Sequence, residues 1–63
     1  MSIGENLKAL RVGNGMSQAR LADCLGISRA FLCQIERGTK ALSLPLAKEI
    51  ASVLECDIEA LLK

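Results

Sequence analysis

Apolar residues recur along the chain at three- and four-residue spacing, in segments separated by short polar or glycine-containing breaks. This spacing is the pattern of amphipathic helices. The first segment starts at Ile3 and is interrupted at residues 13–15, where two glycines flank an asparagine. Ser2 and Glu5 match a capping box, in which a hydroxyl and a carboxylate bind each other's free backbone N–H groups. We therefore predict a first helix that begins after Ser2 and ends near residues 13–15.

The second and third segments are short and follow each other closely. Ser17 and Ser28 are candidate N-caps, since a serine hydroxyl accepts a hydrogen bond from the first turn of a helix. Gly26 and Gly38 stand where a left-handed residue commonly ends a helix. At about 100° per residue, the third helix has two distinct faces. Its apolar face contains Phe31, Leu32 and Ile35, and the opposite face contains Arg29, Ala30, Cys33, Gln34 and Arg37.

Two further helices are predicted after residue 42. Ser43 is the candidate N-cap of the fourth helix, and Pro45 falls in its first turn, where a missing N–H costs little. Apolar residues cover a wide arc of this helix, and one edge of that arc, Leu46 and Val53, exceeds what a small core is expected to bury. Asp57 is the candidate cap of a fifth helix, which contains Ile58, Leu61 and Leu62.

Composition agrees with an all-α fold. The chain has 63 residues, of which 51% are hydrophobic, and Phe31 is its single aromatic residue. Aliphatic residues together with Lys, Glu and Arg favour helices, whereas strands favour β-branched and aromatic residues. No apolar run reaches the roughly 18 residues of a membrane span and no signal peptide is evident. We therefore expect one cytoplasmic domain over residues 1–63.

Three cysteines and no histidine argue against a disulfide framework or a zinc site. The sequence also contains no plausible nucleophile–base pair and no phosphate-cradling glycine loop. We therefore expect no enzymatic activity, no metal and no cofactor.

The second and third helices are connected by only Gly26, Ile27 and Ser28. A three-residue turn with glycine between two short helices is the geometry of a helix-turn-helix motif, here spanning about residues 18–37. Ala22 lies where the two helices must approach closely, because a larger side chain would push them apart. The inward-facing apolar residues are expected to lock the pair together.

The stretch SQARLADCLGISRAFLCQIERG resembles the helix-turn-helix of the Cro/CI-type, phage-repressor-like transcriptional regulators, also called the XRE family. The similarity continues through IGENLKALRVGNGMSQ before it and SLPLAKEIASVLECDIEALL after it, and so covers nearly the whole chain. It implies a compact, five-helix, lambda-repressor-like DNA-binding domain. It also implies a homodimer that binds a palindromic double-stranded DNA operator, with the third helix in the major groove.

The resemblance assigns roles to individual positions. The base-reading positions are Arg29, Ala30 and Gln34, with Ser28 and Cys33 close enough to contribute. The phosphate-binding positions are Ser17, Gln18, Arg37, Thr39 and Lys40, and the position of Gln18 can also brace the third helix. Ser17 and Gln18 also suit an anion independently, since they occupy a helix N-terminus. Arg11 and Glu36 match a structural ion pair between the first and third helices. The candidate dimer residues are Leu46, Val53, Ile58 and Leu62.

Several positions keep two interpretations. Lys8 and Arg20 are more readily explained as solvated charges than as phosphate contacts. Cys33 either fits the groove as a small residue or acts as a redox switch. Phe31 either packs at the helix edge, which is the favoured interpretation, or touches a sugar with its ring. Cys56 is expected to be buried. Glu55 departs from the family pattern, which has glycine or asparagine there, so a corner that is strained or differently closed is expected.

The charge distribution leaves two functions open. Residues 1–40 carry six basic and three acidic residues, whereas residues 41–63 carry two basic and four acidic ones. A basic N-terminal part and an acidic C-terminal part would orient the domain on an anion. With so few charges, chance also explains this asymmetry. The alternative to DNA binding is a protein-interaction module on the same fold, such as an antitoxin component or an anti-repressor partner. In the absence of a separate effector domain, we expect no small-molecule effector.

Overall fold

The computed structural model describes residues 2–62, and this part of the chain contains five α-helices and no strand. They are α1 (Ile3–Gly13), α2 (Gln18–Leu25), α3 (Arg29–Arg37), α4 (Leu44–Val53) and α5 (Ile58–Leu62). The Cα radius of gyration is 10.1 Å, and the extents along the principal axes are 24, 23 and 20 Å. The predicted all-α class, the order of the helices and their approximate bounds are confirmed.

Four serines begin four of the helices, as predicted. The Oγ atoms of Ser2, Ser17, Ser28 and Ser43 each accept a hydrogen bond from the backbone N–H three residues later, over 3.0–3.3 Å. At α1 the Glu5 carboxylate also accepts the Ser2 N–H at 3.0 Å, which completes the capping box. The pKa of the Glu5 carboxyl is lowered from its ordinary value. The larger cause is this bond from the Ser2 backbone, and the second is a hydrogen bond with the Ser2 hydroxyl.

Two helix ends depend on glycine. Gly26 after α2 has φ 69° and Gly38 after α3 has φ 84°, both in the left-handed region where a Cβ is unfavourable. At Gly26 the chain reverses sharply enough for α3 to begin three residues later. The two glycines therefore set the direction of the chain before and after α3.

The corner between α4 and α5 uses a residue other than glycine. Glu55 has φ 53° and is the single non-glycine residue with positive φ in the described chain. Its backbone N–H donates to the Ser52 carbonyl, and the N–H of Cys56 donates to the Ala51 carbonyl at 3.0 Å, so both of these carbonyls near the end of α4 are satisfied. Of the two outcomes expected from the sequence, the strained corner is the one observed.

Each helix contributes one fully buried side chain to a single core. These are Leu7, Leu21, Leu32, Ile50 and Leu61, each 0% exposed. Phe31 is half-buried and packs against the core, as expected at the helix edge. Cys56 was expected to be buried, but it is only half-buried, because it follows the corner at Glu55 and reaches the core from its margin.

Two contacts place α1 against the rest of the fold. Gly4 lies against α3 so closely that a Cβ there would clash with the carbonyl oxygens of Glu36 and Ile35. Asn6 is 9% exposed, and its Nδ2 atom donates to the Leu61 carbonyl at 3.1 Å, which ties α5 to α1. The first helix therefore supports both α3 and the C-terminal helix.

Candidate nucleic-acid interface

The α2–α3 pair has the geometry that the sequence predicted. Ala22 is 2% exposed at the approach of the two helices, and Ile27 in the turn packs against the core. Leu32 and Ile35 are buried at 0% and 2% exposure and hold α3 to the body of the molecule. One side of α3 is therefore committed to packing, and the other side is available for contact.

The outward side of α3 carries the residues assigned to base reading. Ser28, Arg29, Ala30 and Gln34 are exposed, whereas Cys33 is half-buried. Arg29, Cys33 and Arg37 are spaced by four residues and so form one row along the helix. Ala30 and Gln34 form a second, neighbouring row. The outward side of α3 is therefore two parallel rows, one of which contains both arginines.

The arginine row forms one wall of a cavity of about 330 Å³. The other walls come from Lys8 of α1 and Gln18 of α2, with Glu36 of α3 also contributing. The structure therefore brings together Arg29 and Cys33 from the predicted base-reading set with Gln18 and Arg37 from the predicted phosphate-binding set. Lys8, for which a solvated charge was the favoured interpretation from the sequence, joins them.

A buried ion pair lies behind this cavity. The Arg11 Nε and Nη2 atoms donate to the two Glu36 carboxylate oxygens at 2.7 and 3.2 Å, and Arg11 Nη1 donates to the Met16 carbonyl at 2.7 Å. The Arg11 and Glu36 side chains are 9% and 4% exposed. Removing one partner of such a pair costs about 3–5 kcal/mol, since a buried charge is left uncompensated. The pair implied by the resemblance is thus present and joins α1 to α3.

Gln18 extends this network to α2. Its Nε2 atom donates to Glu36 Oε1 at 2.9 Å, so a single carboxylate binds side chains from α1 and α2. Gln18 is half-buried, and its amide N–H is engaged within the protein. In this structure Gln18 therefore braces the N-terminus of α2 against α3.

The remaining predicted phosphate-binding residues are at the helix ends. Ser17 is exposed at the N-terminus of α2, and Arg37 is exposed in the last turn of α3. The Thr39 hydroxyl donates to the Gln34 carbonyl at 3.1 Å, so its hydrogen is engaged in ending α3. Lys40 lines a separate cavity of about 280 Å³ together with Ile3 and Leu42, and is not part of the cavity beside α2.

Residues 7–61 match the sequence model of the HTH_3 helix-turn-helix family. The chain belongs to this family. The resemblance to the Cro/CI-type, or XRE, regulators that the sequence suggested is thereby confirmed.

Individual relatives of this HTH_3 chain are regulators by name. The immunity repressor protein of Bacillus phage phi105 is 31% identical over 61 residues, covering 97% of this chain and 42% of that protein. The restriction-modification controller protein C.AhdI from Aeromonas hydrophila has a TM-score of 0.88 at 32% identity, covering 94% of this chain and 89% of that one. SinR of Bacillus subtilis, a master regulator of biofilm formation solved in complex with DNA, has a TM-score of 0.89 at 29% identity, covering 97% and 98%.

The HTH_3 chain spans between 16% and 42% of the length of the curated relatives it matches. By contrast, it spans nearly the whole of the two solved structures. The likeness therefore concerns the helix-turn-helix domain of the curated relatives and not their remaining segments.

The candidate dimer residues of this HTH_3 domain differ in exposure. Leu46, Val53 and Ile58 are half-buried and pack against the core, whereas Leu62 is 49% exposed. Leu44, at the start of α4, is 58% exposed, but it was not among the dimer residues predicted from the sequence. Its place beside the N-cap Ser43 was the available signal, because the first turn of a helix has no preceding turn to cover it.

Within residues 2–62 no cluster of His, Cys, Asp or Glu has the arrangement of a metal site. Cys24 is exposed, and all three cysteines are free. No helix in the same part of the chain is both long and apolar enough to cross a membrane.

Proposed function

We propose that this chain is a sequence-specific, DNA-binding transcriptional regulator that binds a palindromic operator as a homodimer, with α3 in the major groove. The observation that carries the proposal is the division of α3 into a buried side and an outward side within an HTH_3 fold. The named relatives are regulators and not enzymes. We expect the protein to act in the cytoplasm, where the operator would lie.

The outward side chains suit base edges in the major groove. An arginine can donate two hydrogen bonds to O6 and N7 of guanine, and a glutamine can pair with N6 and N7 of adenine. We assign these roles to Arg29 and Gln34, with Ala30 contacting a thymine methyl group. Ser28 and Cys33 complete the proposed base-reading set.

Phosphate contacts would orient the domain without reading the sequence. The free N–H groups and positive dipole end of α2 at Ser17 and Gln18 favour a phosphate there. We assign further contacts to Arg37, Thr39 and Lys40 after or near the end of α3. Because Thr39 uses its hydroxyl hydrogen at Gln34, its contribution is expected to be smaller than that of the two cations.

The homodimer is proposed to form through α4 and α5. Leu62 offers the most exposed surface of the candidate set, and Leu46, Val53 and Ile58 border it with partly exposed side chains. A two-fold dimer presents two copies of α3 to half-sites about one helical turn apart. The same apolar surface would serve a different partner protein, which keeps the interaction module as the competing hypothesis.

Selection of bound sequences from a random duplex pool tests this proposal. We expect a palindromic motif with half-sites about 10 base pairs apart, centre to centre. Arg29→Ala and Gln34→Ala should each relax the preference at one position, with a loss of about 1–3 kcal/mol there. Arg20→Ala is the control, because Arg20 is exposed on α2 and lies outside the proposed contacts.

The outcomes separate the two hypotheses. No DNA binding by the wild-type chain even at low salt would exclude the regulator and leave the interaction module. Binding that shows no sequence preference would leave only the electrostatic contribution. An unchanged motif with both Arg29→Ala and Gln34→Ala would refute the assigned base contacts.

A further inference from the structure

Lys8 lies outside the helix-turn-helix and ten residues before Gln18, yet the tertiary structure places it at that motif. It lines the cavity of about 330 Å³ together with Gln18, Arg29 and Arg37. Lys8 is itself exposed on α1. The packing of α1 against α3 at Gly4 brings the lysine to this position.

The cavity is positively charged. Lys8, Arg29 and Arg37 contribute three cations, and Glu36 is the one acidic residue among its lining side chains. Both oxygens of the Glu36 carboxylate accept hydrogen bonds from Arg11, and one also accepts from Gln18. Since Arg11 neutralises Glu36, the three cations face the cavity without an uncompensated negative charge, which favours an anion there.

The cavity also has the size and position for a phosphate group. Liquid water occupies about 30 Å³ per molecule, so a volume of about 330 Å³ accommodates a tetrahedral anion with part of its hydration shell. One wall is the arginine row of α3, and this row adjoins the row that holds Ala30 and Gln34. A duplex bound to the outward side of α3 would therefore bring its backbone to the cavity.

We propose that Lys8 binds a backbone phosphate of the DNA, so that α1 contributes to the nucleic-acid interface as well as α2 and α3. This inference rests on the proposed DNA binding and adds a contact to it. A lysine ammonium on a flexible four-carbon stem acts on phosphate as a point charge with three donors. The contact adds affinity for every duplex and leaves the preference among bases unchanged.

The salt dependence of binding tests the contact. The 63-residue wild-type chain, Lys8→Gln and Lys48→Gln are titrated into a fluorescein-labelled duplex at several salt concentrations, and anisotropy gives the affinity. Each phosphate contact contributes about 0.9 to the slope of log K against log salt. Because this slope is negative, we expect Lys8→Gln to reduce its magnitude by about 0.9 per bound protomer, and Lys8→Arg to restore it.

Lys48→Gln is the matched control, since Lys48 is an exposed lysine on α4 and makes the same change of charge. We expect its slope to equal that of the wild type. A wild-type slope in Lys8→Gln, or an equal loss in both variants, overturns the Lys8 contact while DNA binding stands. Failure of the wild-type chain to bind at low salt overturns DNA binding and the Lys8 contact together. Thermal unfolding of each variant verifies that it is folded.

Discussion

Glu55 adopts an unfavourable backbone conformation, although the residues around it suit the helices in which they lie. Its φ of 53° requires a left-handed backbone, which costs an L-residue with a Cβ roughly 1–2 kcal/mol. The corner persists because the chain on either side is fixed, with Leu54 2% exposed and Leu61 0% exposed. The left-handed conformation of Glu55 is therefore imposed by the packing of α4 and α5.

Replacing Glu55 with glycine should stabilise the protein by about 1 kcal/mol, since relief of backbone strain outweighs the greater freedom of glycine in the unfolded chain. Urea-induced unfolding followed by circular dichroism measures the effect. Glu55→Ala is the control, because it removes the same charge and keeps the Cβ. Equal stabilities of the glycine and alanine variants would show that strain at this corner is negligible.

One hydrogen-bonded network links three side chains that are distant in sequence, those of Arg11, Gln18 and Glu36. Each residue comes from a different helix, and the carboxylate joins them through three hydrogen bonds of 2.7–3.2 Å. The resemblance implied the ion pair and allowed Gln18 to brace the third helix, but the bond from Gln18 to Glu36 depends on the distance between α2 and α3. Gln18 thus has a structural role in addition to the phosphate contact that we propose.

At the scale of elements, the crossing of α1 and α3 determines the shape of the proposed interface. Gly4 allows the two backbones to approach without an intervening side chain. The close approach brings Lys8 to the arginine row and places Arg11 beside Glu36. A wider crossing would separate these side chains even if every helix were retained.

Gly4→Ala should therefore destabilise the protein by about 2–3 kcal/mol, as is typical of overpacking, because its Cβ would lie 2.7 Å from the Ile35 carbonyl oxygen and closer still to that of Glu36. Thermal or chemical unfolding measures the loss. Gly13→Ala is the matched variant in the same helix, since nothing lies within 4 Å of its added Cβ. We expect that variant to be neutral or more stable by up to about 1 kcal/mol. Similar effects of the two substitutions would contradict a close crossing at Gly4.

At the scale of the whole molecule, different chemistry is found on different helices. Lys8, Arg29 and Arg37 line one cavity on α1 and α3. Exposed large apolar side chains occur on α4 and α5, at Leu44 and Leu62, and also on α1, at Ile3 and Val12. A dimeric DNA-binding domain requires one surface for the anionic duplex and another for its second copy, and we propose the α4 and α5 residues for the second copy.

We predict that Leu62→Glu shifts the protein from dimer to monomer in sedimentation velocity measured over a range of concentrations. The substitution places a charge on a proposed apolar interface, while the stability of the monomer should change by less than about 0.5 kcal/mol because Leu62 is half exposed. Val12→Glu is the control, since Val12 is 58% exposed on α1 and lies outside the proposed interface. A dimer that persists in Leu62→Glu would locate the interface elsewhere, and a monomeric wild type would exclude the homodimer.

The sequence by itself determined the elements of this protein. Four serine caps, two glycine ends and the two faces of α3 follow from interactions within a few residues, so they were predictable without tertiary information. The helix-turn-helix followed from the length of one turn, and the family from the pattern across nearly the whole chain. Burial of one large side chain from each helix then followed from apolar spacing.

Only the tertiary structure decided which distant side chains meet. Crossing distances and angles between helices determine the cavity that joins Lys8 to α3 and the bond from Gln18 to Glu36. They also determine the half-burial of Leu46 and Val53 and the exposure of Leu44. Periodicity identifies the side of a helix on which a residue lies, but not what is packed against that side. A helix crossing is set by the sum of many small packing contacts over the whole core, and no short stretch of sequence contains that sum.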